Sequence, residues 1–151
     1  TPYLSLVESA GAEFDQHPFA LYSKMRIESF FWKYAVSSAD ARGLNQIIAP
    51  TADQIARDLG LSDFTLDDLF KPARSIRMAA YYLHYTATQV KPDTAVVMAG
   101  YYAGPGNAQR WLDLAGGDPD LFVEVIRLPD AKGYVTTTFG FFEMYRKLYG
   151  R

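Results

Sequence analysis

The sequence predicts a mainly α-helical domain, on three observations. Apolar residues recur at spacings of three and four. Pro and Gly punctuate the chain where helices would start and stop. No run alternates at period two for long enough to make a convincing strand. At 151 residues the chain has the length of one domain and can bury a core without staples. Nothing in it resembles a linker, so 1–151 reads as a single compact domain. It opens on Thr1 rather than Met, and the expectation is a segment taken from a longer protein, with any signal peptide already removed.

The elements follow in order. Pro18 after His17 opens a helix expected to reach about Trp32, because Pro is accepted at the first helical position. Leu21, Met25, Glu28 and Trp32 fall four, three and four apart and would share one face. Residues 36–46, small and polar, read as a loop. Thr51 and Gln54 suggest a capping box for a helix running to Leu59 and stopped by Gly60. Thr65 to Phe70 makes one short turn before Pro72. Ile76, Ala79, Ala80, Leu83, Ala87 and Val90 trace a helical stripe that ends near Pro92. Asp93 or Thr94 caps the next helix, which breaks at Gly104-Pro105-Gly106. Further helices are expected at 107–115, 119–126 and 131–148. Gly133 and Gly140 weaken the last, each by about 1 kcal/mol relative to Ala.

Composition excludes several function classes. Fifteen Lys and Arg against seventeen Asp and Glu leave a net charge of −2, with no basic stripe for nucleic acid and no polybasic stretch for anionic lipid. The longest uncharged run, Thr94 to Gln109, is too short to span a bilayer. With no cysteine there is no disulfide, no thiol nucleophile and no Cys-based zinc site. His17 and His84 form no metal-ligand spacing, so no transition-metal site is expected. Aromatic residues reach 15%, eleven of them Tyr, which suits either a core or sugar contacts.

One carboxylate stands out from the pattern alone. Glu28 lies on the apolar face of its helix, between Met25 and Trp32, where a solvated acid is not expected. It is also near the helix C-terminus, whose dipole opposes negative charge. Burial and dipole both disfavour the ionised form, and a carboxyl held protonated is what a general acid needs. The same position fits a structural Glu hydrogen-bonded to a Tyr, a Ser or Arg26, and the pattern leaves both readings open. The segment Ala103-Gly104-Pro105-Gly106-Asn107 allows close backbone approach to a ligand, although a helix–turn–helix corner is the plainer reading.

Four blocks in order resemble the catalytic domain of soluble lytic transglycosylases, lysozyme-like enzymes that cut peptidoglycan. An R-x-E-S motif is matched by Arg26-Ile27-Glu28-Ser29. A Ser followed by G-A-x-G-L-M-Q and T-A is matched by Ser37, by Asp40-Ala41-Arg42-Gly43-Leu44-Asn45-Gln46 and by Thr51-Ala52. A-Y-N-A-G-P-G with R-W is matched by Gly100 to Gly106 and Arg110-Trp111. E-T-R-x-Y-V with L-Y-G is matched by Asp130 to Val135 and Leu148-Tyr149-Gly150. The resemblance covers nearly the whole chain.

The resemblance implies a lysozyme-like fold, a compact multi-helix domain with a glycan-binding cleft, acting as a monomer without cofactor or metal. Glu28 falls on the single catalytic acid/base. Ser37 falls on the residue that holds the N-acetyl group of the muramic acid sugar. Gln46, Tyr101, Tyr102, Gly104, Asp130 and Tyr134 fall on positions around the glycan. The implied reaction cleaves the β-1,4 bond between muramic acid and glucosamine and leaves 1,6-anhydro ends. The implied partners are peptidoglycan glycan strands, and the implied location is extracytoplasmic, in the periplasm or cell envelope. The chain departs from the pattern at Tyr102 (Asn in the family), Asp130 (Glu), Asn45 (Met) and Asp40 (Gly, at a backbone angle Asp tolerates). Two other readings stand beside this one: a lysozyme-type hydrolase in which Asp40 activates water, and a catalytically impaired domain that binds or scaffolds peptidoglycan.

Overall fold

The computed structural model describes residues 2–150. Among them are eight α-helices and one 3-10 turn, with only isolated β-bridges and no strand. The helices are α1 (Leu4–Phe14), α2 (Pro18–Ser29), α3 (Ala49–Asp58), α4 (Pro72–Gln89), α5 (Thr94–Ala103), α6 (Pro105–Leu114), α7 (Pro119–Val125) and α8 (Pro129–Tyr149), and the 3-10 turn is Leu66–Phe70. The mainly α prediction holds. Contacts divide the chain into two compact units, Thr1–Tyr82 and Leu83–Arg151, with α4 contributing to both.

In the first unit α1 packs on α2, around a core that includes Val7, Leu21, Met25, Leu44, Ile55 and Ile76. α1 is a helix that the Pro and capping signals did not announce. Its ends are closed by Tyr3 and Asp15, both left-handed, rather than by side-chain caps. Glu13 on α1 pairs with Arg77 on α4 at 2.7 Å, and Phe14 meets Tyr81 edge to face at 5.6 Å.

α2 begins as predicted, with Pro18 in the first turn and His17 Nδ1 accepting from the Phe19 N–H at 3.1 Å. It ends three residues before the expected Trp32. Phe30 and Phe31 take φ of 50° and 64°, and their N–H groups donate to Arg26 and Met25 carbonyls at 3.2 and 3.3 Å. This is a left-handed helix end made without glycine, at about 1–2 kcal/mol per non-Gly residue. Trp32 therefore leaves the face it was expected to share with Met25 and Glu28, and is 63% exposed.

α3 also begins earlier than predicted. Ile48 is its N-cap and Pro50 lies in the first turn, so Thr51 sits inside the helix and does not cap it. The fixed φ of Pro50 suits that turn and supplies the start signal instead. A true capping box forms later, where Thr65 N–H donates to Asp68 Oδ2 at 2.9 Å.

The second unit is built on α5, which packs against α6, α7 and α8. Ala95 to Gly100 are all buried, as expected of a helix apolar on every side. Asp93 caps it, accepting from the Ala95 and Val96 N–H groups. A Cβ on Gly100 would fall 2.4 Å from Thr86 Cγ2, so only glycine allows α5 this close to α4. Asp118 caps α7, and α8 passes through Gly133 and Gly140 without a break.

Candidate active site

Glu28 is the penultimate residue of α2, and its side chain is only 16% exposed. Neighbouring Ser29 anchors this helix end. Its hydroxyl lies 2.9 Å from the Leu44 carbonyl oxygen and 3.2 Å from that of Met25, in a buried setting. One proton thus ties the end of α2 to the middle of the loop that carries Ser37 and Gln46.

That loop is held by its own polar groups. Ser37 Oγ accepts from the Ala39 and Ala41 N–H groups at 3.2 and 3.1 Å, while the Asp40 N–H closes a turn on the Ser37 carbonyl. Ser37 is exposed, and its hydroxyl proton is not used in these two bonds. Gln46 is left-handed at φ 47°, with Nε2 donating to the Ala35 and Gly43 carbonyls at 3.2 and 3.0 Å. Its amide nitrogen therefore builds the loop, and its Oε1 is the atom of this amide with acceptor capacity for a ligand. Gly43 has φ 76°, and a Cβ there would lie 1.9 Å from the Leu69 carbonyl oxygen. Asn45, at the family's Met position, is fully buried and donates to Ser75 at 3.3 Å (carbonyl) and 3.4 Å (hydroxyl), joining the loop to α4.

Asp40 has φ 55°, the left-handed angle the sequence led one to expect at a glycine position. Its carboxylate is engaged on both oxygens by Arg42, at 3.0 and 3.2 Å, and Arg42 also reaches Asp67 at 2.9 Å. Both carboxylate oxygens of Asp40 are thus engaged by the guanidinium of Arg42.

The structure adds one group the sequence analysis passed over. Lys24, one turn before Glu28, is completely buried and places Nζ 3.2 Å from Glu28 Oε1. Burial pushes its ammonium down to about 8, against the opposing charge and hydrogen bond of Glu28. The i,i+4 spacing of Lys24 and Glu28 was readable in the sequence. The burial of the lysine was not, since lysines usually extend their ends to water.

In the second unit Tyr102 and Tyr134 come together. Their rings stack at 4.5 Å and 25°, with Tyr134 buried and Tyr102 47% exposed. Tyr101 is half-buried on α5. Gly104 joins α5 to α6 at φ 87° and ψ 147°, a region essentially reserved for glycine. Nothing lies within 4 Å of where its Cβ would be, so Gly104 is required by the backbone rather than by crowding. Asp130 is exposed in the first turn of α8, where an acid also suits the helix dipole. Among the described residues no group of three or more His, Asp or Glu side chains is placed to hold a metal, and no helix is long and apolar enough to cross a membrane.

Comparison with known proteins matches residues 5–120 to the family model of the transglycosylase SLT domain. A Haemophilus influenzae protein named "Putative soluble lytic murein transglycosylase" is 34% identical over 112 residues, which is 73% of this chain and 19% of that protein. The 70 kDa soluble lytic transglycosylase of Escherichia coli is similar in structure, with a TM-score of 0.91 and 26% identity over 98% of this chain and 24% of the other. A 70 kDa soluble lytic transglycosylase in complex with bulgecin A gives a TM-score of 0.92 and 25% identity, over 99% of this chain and 25% of that one. An inactive Glu-to-Gln mutant of lytic transglycosylase Slt from Pseudomonas aeruginosa gives 0.85 and 25%, over 97% and 24%. The chain thus spans about a fifth to a quarter of the length of these relatives.

Proposed function

The chain belongs to the transglycosylase SLT domain family, and from that premise we propose that residues 1–151 form one catalytic domain that cleaves peptidoglycan glycan strands with Glu28 as its acid and base. The observation that carries the reading is the placement of Glu28. It is a mostly buried carboxylate at a helix end, pinned through Ser29 to the loop bearing Ser37 and Gln46. That a Glu-to-Gln mutant of the Pseudomonas protein is inactive supports an essential glutamate in this reading.

Most glycosidases use two carboxylates, and one suffices here if the substrate supplies the second function. Glu28 in its acid form donates its proton to the oxygen linking muramic acid to glucosamine. The C1–O bond breaks, and positive charge developing at C1 is stabilised by the sugar's own N-acetyl oxygen, which Ser37 orients through its hydroxyl proton. Glu28, now a carboxylate, removes the proton from the C6 hydroxyl of the same sugar. O6 then bonds to C1, giving a 1,6-anhydro end, and Glu28 regains its acid form. Water is neither consumed nor released. Intramolecular attack gains from high effective concentration once the ring is held in the right pucker. Gln46, Tyr101, Tyr102, Gly104, Asp130 and Tyr134 line the glycan in this reading. Since peptidoglycan lies outside the cytoplasmic membrane, the domain works there, in the periplasm or cell envelope.

Mass spectrometry of peptidoglycan digested by the domain and by Glu28→Gln tests this. Anhydro-ended fragments from the parent and none from the variant are expected. Fragments with free reducing ends would move the reaction to water attack. No fragments from either protein would leave a glycan-binding domain.

A further inference from the structure

A lysine with no exposed surface beside a carboxylate is costly, and the cost asks for a reason. Removing an ammonium from water is repaid only in part by an ion pair. The pair does not serve the helix either, since Lys N-terminal to Glu at i,i+4 is the weaker orientation. What the arrangement does provide is a fixed positive charge 3.2 Å from Glu28 Oε1. The acids of the neighbouring helix α1 and of the loop tied to α2 are paired with arginines or face water. On α1, which packs on α2, Glu13 is held by Arg77 and Glu8 is exposed. In the loop tied down by Ser29, Asp40 is held by Arg42. On α2 itself the remaining ionisable groups are His17 at the cap, Tyr22, and Arg26, which stands two positions before Glu28.

We propose that Lys24 is a positioning residue for Glu28, whose buried ammonium fixes the carboxyl group's direction and stabilises the carboxylate formed as the proton leaves. This rests on the reading of Glu28 as the acid/base. A cation in contact with a carboxylate favours the charge that develops as its proton leaves, so Lys24 supports proton donation to the leaving oxygen. The depressed titration of Lys24 itself agrees with a cation held out of water beside Glu28.

Two measurements decide it. In Lys24→Met, kcat at the optimum falls about tenfold with KM little changed, and the alkaline limb moves up by about one pH unit, the low end of what an opposite charge at this range does. An unchanged limb and kcat in a folded Lys24→Met protein would reduce Lys24 to packing and overturn the proposal. The second reads the pair without activity, by NMR titration of the lysine side chains in the parent and in Glu28→Gln. Loss of the carboxylate should lower the Lys24 titration by about one unit or more, since an anion in contact supports the ammonium. An unmoved Lys24 titration would overturn the proposal even if Lys24→Met failed to fold. A domain that cuts no peptidoglycan but shows the shift would refute the function proposed for Glu28 and keep the electrostatic pair.

Discussion

Ser29 Oγ lies 2.9 Å from the Leu44 carbonyl oxygen, across fifteen residues of sequence, and both groups are buried. The bond joins the helix that carries Glu28 to the loop that carries Ser37 and Gln46. It gives a physical reason for the serine that follows the glutamate: an apolar side chain there would leave the buried Leu44 carbonyl without this donor.

Ser29→Ala should therefore cost about 1–3 kcal/mol in urea denaturation, the penalty of an orphaned buried acceptor. Activity should fall by more than the loss of folded protein explains, because the loop is no longer pinned to α2. A variant of parental stability and activity would show that Ser29 does not hold the loop.

Two glycines with nearly the same backbone angle should respond very differently. Gly43 has φ 76° and no room, with the Leu69 carbonyl oxygen at 1.9 Å from its hypothetical Cβ; Gly60 has φ 65° and open space. Gly60→Ala should lose about 1–2 kcal/mol for the left-handed angle. Gly43→Ala adds overpacking of about 1–3 kcal/mol against backbone that cannot swing aside. Melting temperatures measured side by side check the order, and equal shifts would refute the close approach at Gly43.

The Tyr102–Tyr134 stack should matter more to substrate than to stability. Tyr102 is half exposed, so Tyr102→Ala loses about 0.5–1.5 kcal/mol of ring pairing. On glycan fragments the variant should show a several-fold higher KM with kcat little changed, and Tyr102→Phe should behave as the parent. Equal KM in Tyr102→Ala would remove this ring from the glycan site.

Acid should expose the contribution of Asp68. Its carboxyl is held below the usual range by the hydrogen bond from Lys71, then by that from the Thr65 N–H, with burial opposing. The folded state therefore binds the proton less readily than the unfolded chain. The stabilisation is fully present above about pH 4 and is lost as pH falls through the lower folded value. Asp68→Asn should destabilise the protein at pH 7 and converge with the parent near pH 2 in urea titrations. A constant difference across that range would show that charge is not the cause.

Local chemistry determined what the sequence alone determined. Pro18, Asp93, Asp118 and the stripe from Ile76 to Val90 act within one or two turns, so the starts of α2, α5 and α7 and the course of α4 follow from neighbours along the chain. The candidate residues were legible through a family resemblance, and Glu28 also through its place on an apolar face. Three things were decided only by tertiary structure. α2 stops at Ser29 because Phe30 and Phe31 accept left-handed angles that no glycine announces, and packing must offset that cost. Asn45 replaces an apolar residue because Ser75, thirty positions away, receives its amide. Lys24 lies buried against Glu28, and whether an ammonium reaches water is a property of the packed molecule. Periodicity sees which residues share a face. It does not see which face is sealed.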